Sequence, residues 1–332
     1  MVRVLVAGGA GYIGSHTCKA LARAGHLPIV YDNLHTGHPW AVKWGPLFQG
    51  DINDPVALGA AIREHRPDAV INFAALAYVG ESMAEPTRYY RANVAGMITL
   101  VEVMRAHGIG SIVFSSSCAT YGIPERLPVV EGMCQRPINP YGRTKLMGEE
   151  ILRDACAAHG LGAISLRYFN AGGADPEGEL GEEHDPETHL IPLVLQAAHG
   201  TRASISVFGT DYDTHDGTCV RDYVHVTDLA AAHVSALMRC KPGTYQAYNL
   251  GAGYGASIGE IIARARVVTG RNIRTVEAPR RPGDPPVLVA DVSAARKALD
   301  WSPAHSSIDD IIRSAWTWMT ESRSGAMQAK AR

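Results

Sequence analysis

The chain has 332 residues, 46% of them hydrophobic and 19% charged, with a formal net charge of −2. It is large enough for one big domain or two ordinary ones, and its balanced charge gives no reason to expect nucleic acid or an anionic membrane as partner. No apolar run approaches the roughly 20 residues of a membrane helix, and the six cysteines form no C-x-x-C pair, so neither a disulfide framework nor a metal is expected.

The first apolar run, residues 2–7, enters a glycine loop at once and leaves no room for a signal peptide, so a cytoplasmic protein is expected. Further strands are expected at 28–31, 69–73, 111–115 and 162–168, with helices at 15–24, 55–64, 87–106 and 140–158. Apart from the second, these strands are short runs without polar alternation, as strands buried on both faces should be. Strands alternating with helices predict βαβ units and a Rossmann-type, doubly wound parallel sheet. Residues 171–185 are rich in Gly, Asp, Glu and Pro and read as a long loop. Then follow a helix at 189–199, strands at 205–208 and 248–250, helices at 226–238 and 258–268, and a Pro/Arg-rich stretch at 278–286. The expected division is a dinucleotide-binding domain over 1–170, with returning segments near 220–251, and a smaller α/β substrate domain over 171–322. Residues 323–332 read as a frayed tail.

Gly8, Gly11 and Gly14 are spaced G-x-x-G-x-x-G between the first strand and first helix. Missing side chains permit a tight turn and let a pyrophosphate approach the backbone at a helix N-terminus, beside Tyr12 and Ile13. Asp32 closes the second strand at the place where a carboxylate accepts from ribose hydroxyls and repels a 2′-phosphate. No Arg occurs in Asn33-Leu34-His35-Thr36, so NAD is expected rather than NADP.

Tyr141 and Lys145 are four residues apart, on one face of the expected helix at 140–158, with Pro140 suited to its first position. A phenol titrates near 10, too high for a general base at neutral pH. A nearby ammonium and a positive nicotinamide ring would lower that value and make Tyr141 a useful base. Ser115-Ser116-Ser117 lies at the carboxyl end of a parallel strand, where such folds place chemistry. The pattern alone leaves Ser116 and Ser117 as alternatives for the active hydroxyl.

Together these motifs resemble the UDP-glucose 4-epimerases of the extended short-chain dehydrogenase/reductase superfamily, from about residue 2 to 318. The resemblance is carried by GGAGYIGSHT at 8–17, GES at 80–82, SSSCATYG at 115–122, NPYGRTK at 139–145, RYFN at 167–170, DGTCVRDYVHVTD at 216–228, YNLG at 248–251 and RPGD at 281–284. It implies Ser117 as the active hydroxyl, Tyr141 as base and Lys145 as its electrostatic partner. Asp51 and Ile52 would hold the adenine end of NAD, with Phe73, Ala74 and Ala75 lining the dinucleotide. Asn33, Asn93, Ser115 and Tyr168 are further expected cofactor contacts, and Phe169 would pack near the nicotinamide. Asn170, His189, Leu190, Arg221, Tyr223, Arg281 and Asp284 would grip a UDP-sugar, with uracil against Val207 and Phe208. Arg221 and Arg281 are fork-shaped cations suited to a diphosphate. Leu288 would wall the pocket beside the sugar's C2 group, where a residue smaller than Tyr leaves room for an acetamido group. UDP-N-acetylhexosamines and UDP-pentoses are therefore alternative substrates. The family's helix pair, here 87–106 and 140–158, implies a homodimer.

The chain departs from many relatives at Ala77, Ala92 and His189, where Lys, Asn and Asn respectively are frequent. A nucleotide-sugar dehydratase is a less favoured reading. Family dehydratases carry an Asp-Glu pair just after the active hydroxyl, where this chain has Cys118-Ala119. A non-catalytic NAD-binding regulator need not keep the base, whereas Tyr141, Lys145 and Ser117 are all present.

Overall fold

The strands, in chain order, are β1 (Arg3–Ala7), β2 (Leu27–Asp32), β3 (Leu47–Gln49), β4 (Ala69–Asn72), β5 (Ser111–Ser117), β6 (Gly162–Tyr168), β7 (Asn170–Gly172), β8 (Ile205–Phe208), β9 (Val220–His225), β10 (Tyr245–Leu250), β11 (Gly255–Ser257), β12 (Thr275–Ala278) and β13 (Val287–Leu288). The computed structural model describes residues 1–281 and 284–322. The tail expected at 323–332, and Pro282 and Gly283 of the 281–284 motif, lie outside the described residues.

Seven strands form one parallel sheet in the order β10-β6-β5-β4-β1-β2-β3. This is the expected Rossmann-type sheet. Strand order reverses beside β1, so loops leaving the carboxyl ends of β1 and β4 diverge and open a crevice. Val4, Leu5, Val6, Val70, Ile71, Ile112 and Val113 are all buried, because helices cover both faces. The helix Tyr12–Arg23 packs against the helix Val226–Arg239 on one side, and the helices Pro55–His65, Gly96–Ala106 and Pro140–His159 cover the other. Each fully buried Leu or Ile of this core contributes roughly 1.5–3 kcal/mol.

β10 joins the edge of the large sheet beside β6, whereas β9 belongs to a smaller one. In that sheet β9 pairs antiparallel with β11 and parallel with β7 and β13. A separate parallel pair, β8 and β12, packs on the helices Leu190–His199 and Ile258–Thr269.

Several elements differ from the sequence reading, among them the short strands β7, β9, β11, β12 and β13. β3 was not expected: it is three residues long, at the sheet edge, with Leu47 exposed. The helix expected at 87–106 is interrupted by a π-turn at Tyr90–Ala95 before Gly96–Ala106. The helices Ser293–Leu299 and Ile308–Thr317, beyond the Pro/Arg-rich stretch, were not anticipated.

Candidate active site

A cavity of about 460 Å³ lies over the carboxyl ends of β1 to β6. Its floor is the glycine loop. Gly8 has φ +78°, and a Cβ on Gly14 would stand 2.1 Å from the Gly8 carbonyl oxygen. Only glycine permits that approach. Gly11 begins the helix Tyr12–Arg23 with no side-chain cap and no acid in its first turn, which suits that end to an anion.

Asp32 ends β2 beside the loop. Its carboxylate accepts from the Ala10 N–H (2.9 Å) and the Leu34 N–H (2.8 Å). Burial raises its pKa, and those two amides oppose the rise. Asn33 Nδ2 donates to Asp51 (2.9 Å). Burial would raise the Asp51 carboxyl, but hydrogen bonds from Asn53 and Asn33 hold it below its ordinary value. Asp51, Ile52, Phe73, Ala74 and Ala75 all line the cavity, as do Tyr12, Ile13 and Asn33.

Asn93 does not line the cavity. Its side chain accepts from the Leu76 N–H (2.8 Å) and donates to the Leu76 carbonyl (3.0 Å) and the Thr144 hydroxyl (2.9 Å). Expected to contact the cofactor, it is instead spent on the loop after β4. The π-turn leaves Ala92 facing the cavity in its place.

The reactive end is built by β5 and the helix Pro140–His159. Asn139 caps that helix, accepting from the Gly142 N–H (2.8 Å). Gly142 sits where a Cβ would meet the Ala119 carbonyl oxygen at 2.4 Å, so helix and β5 loop approach closely. Tyr141, Lys145 and Ser117 thereby line one wall. Ser116 points elsewhere: fully buried, it donates to Glu149 (2.5 Å). Of the two alternatives, only Ser117 faces the cavity. Its Oγ accepts from the Ala119 N–H (3.1 Å).

Burial raises the Tyr141 phenol to about 12, and the Ser117 hydroxyl only partly opposes this. Burial likewise pushes the Lys145 ammonium down to about 7. Lys145 donates to the Ser115 carbonyl (2.7 Å) and lies 5.8 Å from the Tyr141 ring centroid. The expected lowering rests on the ammonium together with the nicotinamide ring, and the protein's own groups leave the phenol above its ordinary value. The Ser115 hydroxyl accepts from Tyr168.

Behind this wall a buried polar network holds the strand ends. Glu149 accepts from Arg167 Nε (2.9 Å) and Nη2 (2.6 Å), from Ser116, and from Gln135 (3.1 Å). Arg167 Nη1 reaches the Tyr121 hydroxyl (2.8 Å) and the Glu131 carbonyl (3.0 Å). Tyr121 in turn donates to Asn249 (2.7 Å).

Asn170, His189, Leu190, Phe169 and Tyr223 complete the cavity lining. Arg221, Arg281, Asp284, Val207, Phe208 and Leu288 lie beyond it. Arg221 is buried and ion-paired with Asp284. Arg281 lies over the Phe208 ring at 4.1 Å. Val207 is buried in the core between β8 and its helices. Leu288 is 8% exposed and belongs to the same core cluster as Tyr121, Val129 and Phe169.

Glu182 and His184 line the cavity although the sequence reading passed over them as loop. Burial would lower the imidazoles of His184 and His189. Glu182 and Glu187 overrule it and raise them to about 9 and about 10. The available signal was the spacing E-x-H-x-x-E-x-H at 182–189.

Residues 4–251 match the model of the NAD dependent epimerase/dehydratase family. The chain is 50% identical to the UDP-glucose 4-epimerase of Rhizobium meliloti (strain 1021) over 97% of its own length and 98% of that protein. A crystal structure of UDP-glucose 4-epimerase from Brucella ovis in complex with NAD matches with a TM-score of 0.92 and 52% identity, covering 95% of this chain and 98% of that one. The enzyme from Bifidobacterium longum in complex with NAD+ and UDP matches with a TM-score of 0.92 and 39% identity, covering 97% and 99%.

Proposed function

The chain belongs to the NAD dependent epimerase/dehydratase family, and from that premise we propose that it is an NAD-dependent UDP-glucose 4-epimerase, interconverting UDP-glucose and UDP-galactose. The observation that carries this reading is the meeting, in one cavity, of the glycine cradle, Asp32 and the Tyr141–Lys145–Ser117 wall. The cradle fits a dinucleotide: side chains at Gly8 or Gly14 would fill the space the backbone leaves.

When bound, NAD supplies the acceptor that takes hydride from the sugar's C4 and returns it to the opposite face. The residues of the chain supply the rest. Tyr141 takes the proton from the C4 hydroxyl and gives it back, with Ser117 hydrogen-bonding the same oxygen. Lys145, donating to the Ser115 carbonyl (2.7 Å), fixes the wall on which Tyr141 stands. Asn170, His189, Leu190, Tyr223, Arg221, Arg281 and Asp284 keep the UDP anchored while the 4-keto sugar turns over. Asp51, Ile52, Phe73, Ala74, Ala75, Tyr168 and Phe169 hold the cofactor, and burial excludes water from the reacting atoms.

The division into a dinucleotide-binding part over 1–170 and a substrate part over 171–322 is part of this proposal. It is supported by β10 returning to the large sheet. Of the two helices expected to pair two copies, the first exposes Ile98, and Met83 on the short helix Val79–Ala84 is exposed as well, which supports a homodimer. No helix among the described residues is long and apolar enough to cross a membrane, and the six free cysteines fit a reducing compartment such as the cytoplasm.

Because the redox cycle regenerates its cofactor, the purified protein is expected to carry NAD without supplementation. Denaturing it and analysing the supernatant tests this directly. NADP(H) in place of NAD(H) would overturn the reading of Asp32. Gly14→Ala, whose Cβ collides with the Gly8 carbonyl, is expected to yield protein depleted of nucleotide. A variant that retains a full complement would contradict the proposed cradle.

A further inference from the structure

Residues 173–184 leave the end of β7 and run, without helix or strand, past the first turn of the helix Tyr12–Arg23. The Tyr12 hydroxyl donates to the Gly173 carbonyl (2.5 Å) at one end of this strap. At the other, His38 Nε2 donates to the Glu183 carbonyl (2.9 Å). Glu182 and His184 thereby share one cavity with Gly8, Gly11 and Asp32. The strap is thus a wall of the dinucleotide cradle that the large sheet does not supply.

Its sequence at 175–184, Asp-Pro-Glu-Gly-Glu-Leu-Gly-Glu-Glu-His, contains one large aliphatic residue, Leu180. Apolar burial therefore contributes little to holding it down, and polar groups must do so. The Lys19 ammonium meets Asp175 (2.6 Å), Glu177 (2.9 Å) and Glu179 (2.6 Å). The Lys19 side chain is 6% exposed and that of Asp175 is 4% exposed. Asp175 also accepts from the Glu179 N–H (3.0 Å), so the ammonium is seated in a turn of the strap. Arg23, one helical turn beyond Lys19, pairs with Glu177, and Lys43 Nζ donates to the Glu179 carbonyl (2.8 Å). Lys19 and Arg23 stand on the helix whose N-terminus faces the cradle.

We infer that Lys19 is a positioning residue for the cofactor: by pinning residues 173–184 to the glycine-loop helix, it keeps the strap closed over the dinucleotide and sets the rate at which NAD leaves. The inference rests on the reading that the cavity holds NAD. Without the ammonium, three carboxylates face one another and that of Asp175 is left buried and unpaired, which is costly. Opening the strap returns them to water, so loss of the pin favours the open state. Glu177 and Glu179 are 55% and 44% exposed, which limits the effect. Opening of this kind is local and leaves the sheet intact. Lys19 does not line the cavity, so the proton and hydride transfers in the closed state do not depend on it.

The test follows exchange of protein-bound NAD against excess isotopically heavy NAD by mass spectrometry. Lys19→Met is expected to speed exchange by more than about tenfold, as loss of one partner from a buried pair implies. Combining it with Asp175→Asn should speed exchange no further, because both changes remove the same interaction. Arg23→Glu, which sets two exposed carboxylates against each other, should speed exchange less. Hydrogen exchange should show amides of 175–184 opening sooner in Lys19→Met while those of β1 and β5 stay as protected as in wild type. A general loss of stability would not produce that split. The kcat of NAD-loaded Lys19→Met should equal that of wild type. Exchange as slow in both single variants as in wild type would overturn the pin, as would faster exchange with β1 and β5 equally deprotected. Should Lys19→Met not fold, the exposed Arg23→Glu decides alone. Protein that neither carries nor takes up NAD would overturn the reading of the cavity, and this inference with it.

Discussion

Replacing Tyr141 by Phe is expected to lower turnover of UDP-galactose by about 10²–10⁴-fold, the usual contribution of a general acid–base group, while leaving the fold and the bound NAD in place. One hydroxyl is removed, and the ring that packs in the cavity wall remains. The expectation is sharpened by the electrostatics of the site. Burial raises the phenol to about 12 and lowers Lys145 to about 7, so the protein's own groups leave Tyr141 protonated at neutral pH. A positive nicotinamide ring beside Tyr141 would be the charge that favours phenolate, and on the proposed mechanism proton removal would be tied to the presence of a hydride acceptor. The check is kcat of the variant, with circular dichroism and nucleotide content as controls. Retention of more than about a tenth of wild-type kcat would show that another group moves the proton.

Glu149→Gln is expected to destabilise the protein by about 3–5 kcal/mol, the usual result of removing one partner of a buried ion pair. The Arg167 side chain is 3% exposed and Glu149 fully buried. The substitution strands a guanidinium in the core and weakens the hold on Ser116, one residue from Ser117. At about 2–4 °C per kcal/mol for a domain of 150–250 residues, the melting temperature at pH 7 should fall by at least about 6 °C. The pH dependence has a definite sign. Burial alone would raise the Glu149 carboxyl, but Arg167, Ser116 and Gln135 hold it below its ordinary value. A carboxyl depressed in the folded state contributes stability above its unfolded pKa of about 4.3 and loses it as pH falls through the folded value. The gap between wild type and variant should therefore narrow only in acid. A loss below about 1 kcal/mol at pH 7 would mean that the pair contributes little beyond a neutral hydrogen bond.

Much of the large sheet was legible because strands buried on both faces leave uninterrupted apolar runs. β6 and β8 begin and end where the sequence places them. β3 escaped because a short edge strand buries too little to leave a pattern. The interruption at Tyr90–Ala95 escaped because those six residues contain no Gly or Pro to mark a break, and a π-turn is a single-turn insertion. Within the candidate site, residues tied to short motifs, such as Gly14, Asp32, Tyr141 and Lys145, line the cavity together. Asn93 does not, because its place in the chain reveals nothing of where its amide is spent. Ser116 and Ser117 are equivalent as letters, and strand alternation separates them: one side chain enters the core and the other the cavity. The cluster at 182–189 lay in a polar, proline-containing stretch that reads as loop. Only its folding onto Tyr12 and Tyr78 makes the spacing meaningful.

The central claim is that the chain inverts C4 of a UDP-hexose by a redox cycle closed within one cavity. Incubating the purified protein with UDP-galactose alone, with no nicotinamide cofactor added, tests it most directly. Proton NMR of the mixture should show UDP-glucose accumulating to an equilibrium ratio over many turnovers, with no net oxidised sugar. Absence of UDP-glucose from protein that carries its NAD, or accumulation of a keto or deoxy sugar instead, would contradict the account.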